Sequence, residues 1–243
     1  MEPREYEALA RNETEFWWHR SLRETILAEL QAAGCAGARR WADIGCGAGG
    51  ALRHLREKGF ESGIGVDLSE HAALFWDPRI MGGMCRGDAN RLPFKSDTLD
   101  FVLSIDVLYH SETMPDKCLA ETHRVLKKGG CLFLTSPAYG WLRSAHDRAV
   151  HGARRFRRGQ LAGMVRHHGF SVLRATYLFP TLLPFLALHR CLTKGRTNEE
   201  SEVRTPLRTL NQALYLGLGW ERRWLRAFNF PAGSTILVVA RKN

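Results

Sequence analysis

No apolar run in this sequence reaches the ~20 residues that a helix needs to cross a bilayer. The most apolar stretch, 177–188, is interrupted by Pro180 and Pro184 and followed at once by His189 and Arg190. The six cysteines form no C-x-x-C pair and no Cys/His spacing suited to a metal, so no metal site is expected. With Cys46 in a glycine turn and Cys131 in an apolar strand, reduced thiols and a cytoplasmic setting are expected. Glu2, Arg4, Glu5 and Glu7 argue against a secretory signal at the N-terminus. Acids also thin out between 143 and 168, where seven arginines and four histidines accompany Asp147 alone. The net charge of +10 favours anionic partners without choosing among nucleic acid, acidic lipid and acidic small molecules. A chain of 243 residues is long enough for one α/β domain with an elaboration.

What is present centres on Trp41-Ala42-Asp43-Ile44-Gly45-Cys46-Gly47-Ala48-Gly49-Gly50. A short apolar strand ends in an acid and a glycine-rich turn, and the helical pattern Ala51-Leu52-x-x-Leu55 follows. Glycines allow a sharp turn and close approach of a ligand to the main chain. The free N–H groups opening the next helix attract polar or anionic groups. Gly45, Gly47 and Gly50 satisfy the dinucleotide spacing G-x-G-x-x-G. Asp43, Gly45, Gly47 and Gly49 equally satisfy D-x-G-x-G-x-G, which resembles the first motif of class I S-adenosylmethionine (SAM) methyltransferases. A second strand, 63–67, ends in Asp67, roughly 20 residues on, where a carboxylate can accept from both hydroxyls of a ribose.

The run Gly87-Asp88-Ala89, then Leu92-Pro93-Phe94, then Leu99-Asp100-Phe101-Val102, decides between the two spellings. It resembles the methyltransferase branch that includes enzymes of ubiquinone and menaquinone biosynthesis, with Leu99 where phenylalanine is usual. His123-Arg124-Val125-Leu126-Lys127-Lys128-Gly129-Gly130 adds to the likeness, with Lys128 in a proline position. The resemblance spans roughly 14–178 and the final strand. It implies a Rossmann-like α/β fold: a seven-stranded sheet with its last strand antiparallel, helices on both faces, an N-terminal helix and a helical insertion before the last strand. It further implies that SAM meets Asp43, Gly45, Cys46, Gly47 and Gly49 in the first turn, then Asp67 and Leu68. Asp88 and Ala89 would face the adenine, and Ser104 and Asp106 the methionine end.

Flanking segments are read from periodicity. Trp18, Leu22, Ile26 and Leu30 place a helix over 14–32. It is expected to pack by its aromatics or to act as a lid, with Arg20 or Arg23 reaching a carboxylate of the cofactor. A third strand is expected within 80–87, a fourth over 101–105, a helix over 113–128, and strands over 131–136, 171–177 and 234–240. His110 follows the fourth strand and is the first candidate for a base near the acceptor, with His146 and His151 behind it. Their ordinary pKa near ~6.5 suits that task. The basic run is open to three readings: a solvated face, a pocket for an anionic acceptor or acidic lipid, or a nucleic-acid surface, which its few aromatics disfavour. Residues 177–188 read as a lid, a dimer contact or an interfacial segment. The polar stretch around 195–201 reads as a mobile loop. Leu207, Leu210 and Leu214 mark a further helix within a 179–232 insertion of one 1–243 domain.

These features lead to SAM-dependent methylation of a small-molecule or lipid-like acceptor, anionic or amphiphilic, at oxygen or carbon. Homodimerisation and a peripheral contact with acidic membrane accompany that reading. The end of the fourth strand reads Ser104-Ile105-Asp106-Val107. It lacks the Asn/Asp-Pro-Pro-aromatic run of enzymes that methylate nucleic-acid amines. An RNA methyltransferase, an NAD-dependent oxidoreductase and a SAM-binding scaffold without turnover stand as the alternatives.

Overall fold

The computed structural model describes residues 3–193 and 207–243. Helices α1 (Pro3–Asn12) and α2 (Trp17–Ala32) precede β1 (Trp41–Ile44), α3 (Gly50–Glu57) and β2 (Gly63–Asp67). Short helices α4 (Glu70–Ala73) and α5 (Pro78–Met81) lead to β3 (Met84–Arg86), then β4 (Leu99–Ile105), α6 (Pro115–Val125) and β5 (Leu126–Pro137). A 3-10 turn at Gly140–Leu142, α7 (Ala145–Ala149) and α8 (Arg158–His167) come before β6 (Phe170–Leu178). Finally α9 (Leu182–Thr193), α10 (Arg208–Gly217) and α11 (Gly219–Leu225) precede β7 (Thr235–Lys242). The sheet order is β3-β2-β1-β4-β5-β7-β6. Strands β1 to β5 pair in parallel, and β7 runs antiparallel between β5 and β6.

Strand order explains the apolar runs. β1 lies mid-sheet between β2 and β4, and all four of its residues are buried, as expected of a parallel strand covered on both faces. Trp41 stacks on Phe101 at 5.1 Å between centroids, and Phe60 and Phe133 meet Phe101 edge-on at 5.8 and 6.0 Å. This aromatic column fixes the middle of the core. Because β1 and β4 reverse direction of spread from a shared centre, their carboxyl ends open a crevice between them. The glycine turn and Asp106 stand there.

Several expected boundaries move, each for a local reason. The helix expected over 14–32 begins at Trp17, because Phe16 is extended (φ −62°, ψ 126°). A separate helix, α1, lies upstream of it. Asn211 supplies the missing cap from far along the chain: its Oδ1 accepts from Trp17 N at 2.9 Å and its Nδ2 donates to Glu15 O at 2.7 Å. The helix expected over 113–128 stops at Val125, and Leu126 to Gly130 extend β5 instead. Leu126, fully buried, pairs with Leu99, and Lys127 Nζ binds Asp100 Oδ1 at 2.5 Å, so side-chain burial and an ion pair draw the chain into the sheet. In α10 the leucine stripe does not face the core. Leu207 and Leu210 are exposed while Asn211 is buried. The loop expected around 195–201 lies outside the described residues.

Gly63 sets the closeness of β1 and β2. A Cβ at that position would lie 2.2 Å from Trp41 Cζ2, and the fully buried indole has no room to retreat. Gly63→Val is expected to lower unfolding free energy by about 2–3 kcal/mol, measured by urea denaturation; an unchanged midpoint would contradict this packing.

Candidate functional site

The glycine turn is stapled to the end of β2. Gly45 N and Cys46 N both donate to Val66 O, at 2.7 and 3.1 Å, and Gly47 N donates to Asp67 Oδ2 at 2.8 Å. Gly45 and Gly47 adopt φ of +68° and +55°, the left-handed region where a side chain is strained. A Cβ at Gly45 would also fall 2.5 Å from Val107 Cγ2. Trp76 Nε1 donates to Gly47 O at 3.0 Å, closing the turn from the other side. Asp67 Oδ1 accepts from Ser69 N at 2.9 Å. Each carboxylate oxygen has two lone pairs, so Asp67 retains acceptor capacity toward a ligand.

This turn forms one wall of a cleft of about 770 Å³. The cleft is also lined by Asp43, Cys46, Asp67, Leu68, Asp88, Ala89, Asp106, His110, His146 and His151. The structure therefore brings together most of the residues selected from sequence. Three stand apart from its walls. Gly49 (φ +88°) is the N-cap of α3, serving the turn itself. Ser104 is buried in β4, and it is Ile105 that reaches the cleft. Arg20 turns away: its guanidinium lies 3.9 Å over the Tyr215 ring and donates to Gln212. Arg23, one turn on, lines the cleft in its place. It donates to the carbonyls of Glu13 and Thr14 and keeps a buried Nε without a partner.

Helix α1 was not legible as a separate element, yet it lines the cleft beside the glycine turn. Tyr6, Leu9 and Glu13 line the cleft at i, i+3 and i+7, the spacing of one helical face. That spacing is the signal a reading of the sequence could have used. The Tyr6 hydroxyl bonds with Asp67 and Ser69, and burial first, then Asp67, pushes it up to about 12. Leu9 lies over Gly47, and Glu13 over Gly50.

Carboxylates dominate this cleft although the chain is strongly basic. Nine of them line it, from Glu5 to Asp147, against three arginines and no lysine. Burial raises Asp43 well above the ordinary carboxylate range, with Glu13 and Asp67 adding to it, and Asp43 Oδ1 is buried with no partner. An orphan acceptor of this kind costs about 1–3 kcal/mol and marks a place for an incoming donor. Desolvation likewise pushes Glu13 up to about 7, against the pull of Arg23, and Asp106 up to about 6, against Thr135. Asp106 sits at φ +53°, turning the chain sharply out of β4 so that Val107 to His110 run along the cleft. Its Oδ1 accepts from Thr135 Oγ1 at 2.9 Å.

The expectation that His110 titrates near 6.5 does not hold. Its Nδ1 lies 2.7 Å from Val150 O. A carbonyl only accepts, so Nδ1 carries the proton and Nε2 the lone pair. Burial lowers the ring's pKa to about 4, so it is neutral at pH 7. His146 Nδ1 is 3.6 Å from Glu5 Oε2, a link between α7 and α1. His151, at φ +56°, is exposed at the rim.

Several arginines of the basic run are engaged within the protein, while Arg158 and Arg166 line a second, smaller pocket together with Arg174. Arg154 Nη1 donates to the carbonyls of Leu108, His110 and Thr113, at 3.0, 3.0 and 2.7 Å. Arg143 donates to Gly152 O and Arg158 to Phe230 O. Arg155, the run's one arginine at the cleft, is bound through Nε and Nη2 to Asp147 at 2.8 and 3.0 Å. These side chains hold the loops that carry His110 and His151.

With this geometry in place, comparison with known proteins is direct. Residues 42–134 match the methyltransferase domain family. Cycloartenol-C-24-methyltransferase 1 of Oryza sativa subsp. japonica is 31% identical over 142 residues, covering 54% of this chain and 40% of that protein. The chain spans less than half the length of the curated relatives it matches. Among solved structures, a SAM-dependent methyltransferase from Thermotoga maritima aligns over 99% of this chain and 96% of its own, at 22% identity and a TM-score of 0.58. Geranyl diphosphate C-methyltransferase from Streptomyces coelicolor, solved with Mg²⁺, geranyl diphosphate and S-adenosylhomocysteine, covers 84% of this chain and 71% of its own, at 16% identity and 0.57.

Glu13 offers a test of the roofed cleft. Its folded pKa lies above the ordinary 4.5, so the folded chain holds a proton that the unfolded chain has released. Its contribution to stability is full below 4.5 and falls as pH rises through about 7. Glu13→Gln is expected to flatten the decline of melting temperature across that window; superimposable curves for the two proteins would contradict the placement.

The glycine turn, the acids at three strand ends and the seven-stranded order accompany the family match: residues 42–134 match the methyltransferase domain family, and in fold the chain is similar to SAM-dependent methyltransferases.

Proposed function

We propose that this protein transfers a methyl group from SAM to an apolar, lipid-like acceptor, at carbon. The observation that carries the reading is the make-up of the cleft: a glycine-and-carboxylate end that continues into a chamber of Trp17, Trp18, Tyr109, Leu182, Phe185 and Leu186. The residues fit the cofactor. Asp43 has a buried oxygen awaiting a donor, suited to the amino group of the methionine end. The unpartnered Arg23 Nε suits its carboxylate. Asp67 suits the ribose hydroxyls, and Leu68 and Ala89 give the base apolar contact. Excess negative charge in the cleft favours a sulfonium cation over the phosphates of NAD or of an RNA backbone. Bound SAM supplies a methyl group already activated on sulfur.

The chain's own residues then hold the acceptor in line, and such alignment can contribute about 7–11 kcal/mol. The state of His110 supports a carbon acceptor over an oxygen acceptor. A neutral imidazole with a pKa of about 4 is far too weak to draw a proton from an alcohol. It is strong enough to take one from a carbocation. A carbon–carbon double bond that accepts a methyl group is left with positive charge on its neighbouring carbon, and loss of a proton from an adjacent carbon restores a double bond. His110 Nε2 is the acceptor for that proton, and Asp106 and the Tyr109 and Trp faces stabilise the charge before it leaves. The similarity to a sterol C-24-methyltransferase supports the same reading.

The test is a screen of isoprenoid and sterol-like alkenes with isotope-labelled SAM, reading the labelled carbon by mass spectrometry. The label is expected in a new C–CH₃ bond, and a methyl ether or methylamine product would overturn the carbon assignment. His110→Ala is expected to lower kcat about a hundredfold with S-adenosylhomocysteine binding unchanged. The wild-type rate is expected to pass through pH 6.5 without an inflection from this residue; an inflection there that the substitution removes would contradict the buried, neutral ring.

A further inference from the structure

We infer that α9 docks this protein on an anionic membrane surface and that the acceptor enters the cleft past it. The inference rests on the lipid-like acceptor proposed above. Phe185, Leu188 and Leu192 are 72%, 59% and 71% exposed, and their i, i+3, i+7 spacing puts them on one outward stripe of α9. Trp141 is 56% exposed on the 3-10 turn against which α9 rests, held there by Arg190 Nε, which donates to Leu142 O at 3.3 Å. Single exposed apolar residues need no explanation, but a contiguous stripe of them with an aromatic beside it marks a contact surface. The same helix turns Leu182 and Leu186 into the cleft, with Phe185 at its mouth. One helix thus joins the outer apolar surface to the acceptor chamber.

Charge selects the occupant. Over the described residues 182–192 and 207–228 no carboxylate is exposed. Glu221, the single acid there, is buried at 5% and accepts from Thr181 N at 3.0 Å. Arg208, Arg223 and Arg226 are exposed, alongside Trp220, Trp224 and Phe228, at 49%, 50% and 59%. A second copy would bring the same patch to the contact, since a two-fold interface is self-complementary, and would set cation against cation in a chain of net charge +10. An acidic leaflet attracts such a surface, by roughly fivefold in affinity per basic residue near the headgroups. No helix among the described residues is long and apolar enough to cross a membrane, so the contact is with the surface, through partial burial of an amphipathic helix.

The test is flotation of the full chain with vesicles of phosphatidylcholine alone and of phosphatidylcholine with phosphatidylglycerol. The protein is expected to float with the mixed vesicles and to be released by salt. The double substitution Leu188→Asp with Leu192→Asp is expected to reduce binding at least about tenfold, while S-adenosylhomocysteine affinity stays at the wild-type value and so reports an intact fold. Failure to float with either vesicle overturns the inference, as does equal flotation of the substituted protein. A dimer in sedimentation velocity that the same substitutions dissociate, without vesicle binding, would assign the stripe to a second copy. The two readings fail separately. Methylation of a detergent-dispersed alkene without flotation would remove the docking alone, and flotation with no alkene ever methylated would remove the acceptor reading alone.

Discussion

The hydrogen bond from Gly47 N to the Asp67 carboxylate is the contact on which the rest of the cleft depends. It ties the turn after β1 to the end of β2 and fixes two acids, Asp43 and Asp67, on one crevice. The turn cannot relax into another path. Val66 O takes two of its N–H groups, Gly45 packs under Val107, and Trp76 holds Gly47 from outside. Because these partners are backbone groups or buried side chains, the acids stay in a poorly hydrated place, where charge interactions are strong. Burial is the largest influence on the raised pKa values of Asp43, Asp67 and Asp106 alike, and it is a consequence of that enclosure.

Charge is sorted across the molecule. The surplus of positive charge lies outside, while the cleft collects carboxylates. The arginine-rich segment between 143 and 168 is open from sequence to a solvated face as well as to a binding face. In the fold several of its guanidinium groups instead satisfy backbone carbonyls of loops that have no ladder partner, Arg154 bridging three of them. Five donors in a fixed fork make arginine apt for this. The result is a frame for Tyr109 and His110 beside a cleft lined by nine carboxylates and by aromatic and aliphatic side chains.

The residues differ in how far their sequence betrays them. The strand-turn-helix around Asp43 and the acids at 67 and 88 were readable because local chemistry decides them: positive φ demands glycine, and strand ends at one edge share a crevice. Central strands were readable as apolar runs because parallel sheets bury both faces. Boundaries that depend on distant partners were not. The start of α2 is capped by Asn211, the end of α6 is set by Leu126 meeting Leu99, and Arg20 is drawn aside by Tyr215. The lowered pKa of His110 could not be read either, since it comes from burial in the fold, against the upward pull of a hydrogen bond to Val150 forty residues along the chain. Helix α1 and the turn after it carry their message in three residues, Tyr6, Leu9 and Glu13, among charged neighbours, too few for periodicity to stand out.

The central claim is that one adenosyl cofactor is held by the glycine turn and the acids at the strand ends. Calorimetric titration of the wild-type chain and of Asp67→Ala with S-adenosylhomocysteine, and separately with NAD, tests it most directly. The account predicts binding of S-adenosylhomocysteine and none of NAD, with affinity falling about tenfold to a hundredfold in Asp67→Ala, as loss of hydrogen bonds to a charged group requires. Equal affinity in the two proteins, or binding of NAD alone, would contradict it.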